Sequence, residues 1–246
     1  MILMKSRVLV ENFRKYLKEG FDVDHDRICM FHYDAGKKKA IIMYDHKDIP
    51  NLTFKDIQRN DHYMEFRMIG ALTMVSSELS SKEPCIPETY EVASVFVEKG
   101  YRGNGFQKIL MDQAFWLASK EGAGLTSDHA YGTRKGAAGA WERIENSSLY
   151  RKKKTTAGND TFDYDDSTPD PDDDCGKGMK DPLATDHSFE KMSTAGAESK
   201  YDTYFYNHKK VIRKLKSVGR SLPKDFEMVV GRVASNRFNQ IYHRGN

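Results

Sequence analysis

Cysteine is scarce in this chain. Cys29, Cys85 and Cys175 are odd in number and far apart, which excludes a disulfide framework and points to a reducing, intracellular setting. No Cys-x-x-Cys or His-x-x-x-His spacing occurs, so no structural zinc site is expected, and no metal is assigned. Long apolar runs are missing too, which excludes a bilayer-spanning helix. The opening Met-Ile-Leu-Met-Lys-Ser-Arg has neither a secretory apolar core nor a cleavage site, so a cytoplasmic location is expected. Internal repeats are absent.

What is present is a polar chain of 246 residues, with 39% hydrophobic and 30% charged residues and a mean hydropathy of −0.70. That length suffices for one good-sized core with appendages. The net charge of +3 hides an asymmetry. Thr155 to Ser199 holds twelve Asp/Glu against three Lys, and Lys200 to Asn246 holds eleven Lys/Arg against three Asp/Glu. The basic tail can meet nucleic acid, an acidic partner, or the acidic segment of its own chain.

Apolar spacing predicts a helix from Val8 to Leu17, ended by Gly20. A strand follows from Arg27 to Tyr33, then a turn at Asp34-Ala-Gly-Lys-Lys-Lys and a hairpin partner from Lys39 to Tyr44. Thr53 to Arg59 reads as a short helix, Tyr63 to Ser77 as a long strand, and Glu78 to Thr89 as a polar loop. Tyr90 to Val97 is the next strand, Asn104 to Gly122 the clearest helix, Leu125-Thr-Ser a brief strand and Arg134 to Ile144 an Ala-rich helix. Arg151 to Ser199 has no sustained period and reads as a long acidic loop or insertion. Tyr201 to Lys216 and Asp225 to Tyr242 read as helices with apolar faces that pack back on the core. The expected organisation is a domain over 1–150, an acidic insertion over 151–199 and a basic helical extension over 200–246. Periodicity alone gives a mixed α/β class.

The chemistry concentrates at Tyr101-Arg-Gly-Asn-Gly-Phe-Gln-Lys108, between the strand ending at Val97 and the helix that follows. First-turn N–H groups have no partner within a helix, and the helix dipole adds positive potential there. Two glycines let the backbone approach an anion closely. Arg102 adds a forked charged donor. No Gly-Lys-Ser/Thr follows, so this is not a nucleotide P-loop, and a third Gly for a dinucleotide fingerprint is missing.

The loop resembles motif A of the GNAT family of N-acetyltransferases, which reads Arg/Gln-x-x-Gly-x-Gly/Ala. Arg102 and Gly105 match; Gln107 stands where the family has Gly or Ala. The resemblance covers roughly residues 60 to 146 and is strongest from 90 to 111. It implies a mixed, mostly antiparallel central sheet flanked by helices, with two central strands splayed around the cofactor. It implies acetyl-CoA as co-substrate, its pyrophosphate on Arg102, Gly103, Asn104, Gly105, Phe106, Gln107 and Lys108. Its pantetheine arm and thioester would lie on backbone groups of Val95, Phe96 and Val97. A second match runs through Ser127 to Ile144. There Ala137 and Trp141-Glu142 fit a helix that reads Ala-x-x-x-Tyr-Glu in the family, and Trp141 replaces the tyrosine that protonates the leaving thiolate. Trp has no such proton to give, so Trp141 is expected against the coenzyme or the core. Tyr131 and Ser127 are the candidate acids. Glu91, on the strand leading to the loop, is placed like the catalytic Glu of histone-type members and is the candidate base, with Asp128 as alternative. The general look of the chain also resembles acetyltransferase-like proteins of tailed bacteriophages.

The expected activity is acetyl transfer to a primary amine of a protein lysine, a small amine or a modified nucleobase. Two alternatives stand beside it: a GNAT-like module that binds a host protein or nucleic acid without catalysis, and a DNA-modification enzyme on the same fold.

Overall fold

The computed structural model describes residues 23–47, 68–76, 89–127, 135–153, 188–192, 201–219 and 222–243. Among these residues seven strands form one sheet in the order β1-β2-β3-β4-β5-β7-β6. They are β1 Ile28–Ala35, β2 Lys38–Asp45, β3 Met68–Ser76, β4 Thr89–Val97, β5 Gly124–Thr126, β6 Tyr150–Lys153 and β7 Ser188–Lys191. Among the described residues only β4 and β5 run parallel, and every other pair is antiparallel. Among the described residues four α-helices flank the sheet: α1 Phe106–Lys120, α2 Lys135–Glu145, α3 Asp202–Val218 and α4 Leu222–His243. The class is therefore mixed α/β with a mostly antiparallel sheet. The helices anticipated at 8–17 and 53–59 lie outside the described residues, as do Cys85 and Cys175.

The first hairpin follows from its turn chemistry. Gly36 takes φ 71°, and the Asp34 carboxylate accepts from its N–H at 2.8 Å. Strands β1 and β2 are apolar on both faces, because each face is covered. Ile28, Met30, Ile41 and Met43 point to one core, shared with Leu110, Ala114 and Phe115 of α1. Cys29, Phe31, Ile42 and Tyr44 point to a second core, shared with Phe226, Val230 and Val233 of α4. Burial at these positions contributes about 2–3 kcal/mol per large side chain.

The basic C-terminal part packs on the sheet, as its apolar faces require. Helix α3 packs along β1: Tyr204 and the N-cap residue Tyr201 join the first core, and Val211 and Leu215 the second. Asn207 Nδ2 donates to the carbonyls of Asp26 (3.0 Å) and Ile28 (2.9 Å) and so satisfies groups at an open sheet edge. Cys29 is a free, buried cysteine. Burial pushes its thiol up to about 12, which makes it inert.

The segment 151–199 differs from the expected loop at both ends. Arg151–Lys153 and Ser188–Lys191 pair in register, Arg151 with Glu190 and Lys152 with Phe189, and β7 joins the sheet beside β5. Strand β7 hides only Ser188 and Phe189. A single buried aromatic leaves no period to read.

Candidate active site: the forked strand pair and its loop

Strands β4 and β5 enclose α1 as a strand–helix–strand unit, and they part almost at once. The parallel ladder has three steps: Thr89 with Gly124, Tyr90 with Leu125, and Glu91 with Thr126. Strand β5 then ends, while β4 runs six residues further, to Val97. The cause is visible on the other side of β4. Thr73 faces Ser94, but Val75 faces Glu91, so β4 carries one extra residue between these pairs. Such a bulge bends and twists its strand. The faces switch at the same point: Tyr90 and Val92 join the first core, and after the bulge Val95 and Val97 do.

The ladder also determines where backbone groups point. Glu98 N–H donates to Ile69 O at 2.9 Å, which makes that pair hydrogen-bonded. In antiparallel pairing the type alternates at each step. Hence Phe96 exchanges bonds with Ala71, and Val95 and Val97, opposite Leu72 and Gly70, aim their N–H and C=O away from β3. They aim into the fork. Of the three backbone positions that the resemblance implied, Val95 and Val97 turn their groups away from β3, and Phe96 is spent on β3. The Phe96 ring packs edge-on against Phe238 of α4 at 4.9 Å. Gly70 makes this close approach possible. A Cβ there would lie 2.5 Å from Phe96 O and 3.3 Å from Val97 Cα.

Beyond Val97 a short 3-10 turn, Lys99–Tyr101, leads to the glycine loop. Arg102 folds back, and its Nε donates to Val97 O at 2.9 Å, closing the strand end. Asn104 Nδ2 donates to the carbonyls of Tyr101 (3.2 Å) and Arg102 (3.4 Å), bracing the turn from inside. Gly103 (φ 84°) and Gly105 (φ 79°) are left-handed, and a Cβ at either would meet nothing within 4 Å. Their requirement is conformational and the surrounding space is open. Gly105 caps α1 with no side-chain bond to the first turn. The first-turn N–H groups, including those of Phe106, Gln107 and Lys108, therefore face this open space. Gln107 and Lys108 are exposed, and Lys108 Nζ donates to Asp112 at 2.8 Å. The Phe106 ring is buried beside His25 and Tyr101 and serves as the anchor of the loop.

The fork's apex is polar. Glu91 and Thr126 are register partners there, Ser127 follows directly, and all three are buried. Two steps back, Thr89 Oγ1 donates to Ser188 Oγ at 2.8 Å. Leu125 and Phe189 point to the first core, so Thr89, Glu91, Thr126 and Ser188 share the opposite face, away from α1. Glu91 and Ser127 thus both stand at the end of the short parallel ladder, on neighbouring strands. Tyr131 and Asp128 lie outside the described residues. Trp141, on α2, is buried and stacks on Phe189 with ring centroids 6.2 Å apart. Its surroundings are those of a core residue.

Sequence reasoning missed Asp112. It is buried on α1 and accepts from Lys108 Nζ (2.8 Å), Lys191 Nζ (2.7 Å) and Tyr201 OH (2.9 Å). Burial raises its proton affinity, but these three donors outweigh that and hold its carboxyl below the usual range. It ties the helix that bears the loop to β7 and α3. The available signal was a carboxylate inside the apolar stripe Ile109, Leu110, Ala114, Phe115. A second ionic knot joins Lys39, buried on β2, to Asp34 and Glu121, each at 2.7 Å. Tyr90 OH also donates to Glu121. This knot holds the C-terminal end of α1 to the start of β4. Among the described residues no cluster of His, Cys, Asp and Glu could hold a metal ion.

No family model and no curated protein matches the chain. Among solved structures, an acetyltransferase of the GNAT family from Staphylococcus aureus Mu50 aligns with 68% of this chain and 99% of its own length, at 13% identity and a TM-score of 0.31. At that score the likeness carries no weight, and the fold stands on the strand order and register given above.

Proposed function

We propose that this chain is a GNAT-type N-acyltransferase that moves an acetyl group from acetyl-CoA to a primary amine. The observation that carries the reading is the fork: a bulged β4 whose free edge leads, through a glycine loop, into an uncapped helix N-terminus. Ligands of strand–helix–strand units sit at the carboxyl ends of the parallel strands, and this opening is there. The pyrophosphate would lie on the N–H groups of residues 103–108, with Arg102 beside it. The pantetheine arm would continue the sheet along the N–H and C=O of Val95 and the N–H of Val97.

The thioester would then reach the apex. The amine nitrogen attacks the carbonyl carbon, the C–S bond breaks, and the amide and a CoA thiolate result. A β4 N–H stabilises the intermediate oxyanion. In this reading Glu91 takes the proton that the attacking nitrogen sheds, and Ser127 returns one to the thiolate. Acceptor classes compatible with this chemistry are a protein lysine, a small amine and a modified nucleobase.

The test is release of free thiol from acetyl-CoA across a panel of amines. Wild type should turn over at least one, and Glu91→Gln should lower turnover about 100-fold with acetyl-CoA affinity unchanged. Equal turnover in the variant would remove Glu91 from the role of base. Binding of acetyl-CoA with no amine accepted would favour the non-catalytic binding module.

A further inference from the structure

Helix α3 has two opposed faces. At 100° per residue, Tyr204, Asn207, His208, Val211 and Leu215 cover the side turned to the sheet, and all are buried. Opposite them, Lys209, Lys210, Arg213, Lys214 and Lys216 spread over an arc of about 160°. All five are exposed, and Tyr206 and Arg213 lie near the centre of the arc. Tyr206 is 50% exposed, with Lys210 Nζ over its ring at 4.5 Å. From Thr203 to Lys224 the sequence has no Asp or Glu. Among the described residues none of the five cations has a carboxylate partner, whereas Arg27, Lys39, Lys108, Arg151, Lys152 and Lys191 all do.

We propose that this face of α3 binds single-stranded nucleic acid, with the five cations on its phosphates and Tyr206 beneath a base. Like charges gathered on one face of a rigid helix form a phosphate track. An exposed aromatic ring within that track, with one face already covered by an ammonium, gives a stacking platform. An acidic peptide would use the charges but not the ring.

The experiment is fluorescence anisotropy of the intact chain with a labelled 15-nucleotide thymidine strand, in KCl from 50 to 200 mM. Five phosphate contacts predict a log–log salt slope of about −3.5, a loss of about 100-fold over that range. The quadruple variant Lys209→Ala, Lys210→Ala, Arg213→Ala, Lys214→Ala should keep its thermal melt and flatten the slope to about −0.7. Tyr206→Ala should weaken binding by about fivefold or more. No binding at 50 mM KCl, or equal binding by the quadruple variant, would overturn the proposal. So would a strand bound only after Asp172→Asn, Asp173→Asn and Asp174→Asn, which would assign the face to the chain's own acidic segment.

Discussion

Gly70→Ala is the smallest change that reaches the fork. The added methyl would sit 2.5 Å from Phe96 O, about 1 Å inside an ordinary contact, and 3.3 Å from both Val97 Cα and Val97 Cγ2. The nearest obstacle is backbone, held by its bond to Ala71, so no side chain can swing away. Strands β3 and β4 must separate locally. Overpacking of this kind costs about 1–3 kcal/mol, which for a chain of this size is about 2–12 °C in Tm. The displaced groups are those of Val95 to Val97, so acetyl-CoA affinity should fall with stability. Gly231→Ala is the matched control. Gly231 lies inside α4, and a Cβ there meets nothing within 4 Å, so Ala should stabilise by about 0.5–1 kcal/mol. Differential scanning fluorimetry of both variants, with and without acetyl-CoA, reads the two signs. A Gly70→Ala protein that melts with wild type would refute the close packing of β3 on β4.

Two further predictions concern charge. Burial, partly offset by the hydrogen bond with Gln113, pulls His32 down from 6.5 to about 4, so the folded chain holds it neutral. Its stability term is fully present above pH 6.5 and is lost as pH falls towards 4, where the unfolded chain binds the extra proton, a loss of about 3 kcal/mol. Urea unfolding at pH 7 and pH 4.5 should show the loss in wild type and a smaller one in His32→Gln. Asp112→Asn leaves Lys191 Nζ, largely buried, without its counter-charge, and should cost about 3 kcal/mol. A variant that unfolds at the wild-type urea midpoint would show that the Lys108–Asp112–Lys191–Tyr201 knot is not structural.

The parts legible in the sequence are those with period and punctuation. The hairpin at Gly36 has short apolar runs on both sides of a turn, and β1 and β2 fall within two residues of their expected ends. Helix α1 carries its apolar stripe and ends at Gly122, where Ala123 N–H donates to Ala118 O at 3.0 Å. The glycine loop was legible because conformation dictates its composition. The bulge in β4 was not, since nothing in Tyr-Glu-Val-Ala-Ser-Val-Phe-Val shows which residue lacks a partner. That bulge decides which strand positions face the fork, so Val95, Phe96 and Val97 could not be separated in advance. Asp112 was hidden because its partners, Lys191 and Tyr201, stand far along the chain. Strands β6 and β7 gain their identity from pairing alone.

The most direct measurement is a calorimetric titration of acetyl-CoA into the intact chain and into Arg102→Ala and Gly105→Asp. Wild type should bind acetyl-CoA with micromolar affinity. Arg102→Ala should weaken it at least tenfold. In Gly105→Asp a carboxylate and a left-handed non-glycine residue would occupy the phosphate position, and binding should be abolished. No heat of binding up to millimolar acetyl-CoA, or equal affinity in all three proteins, would contradict the assignment of the fork and its loop as an acyl-CoA site.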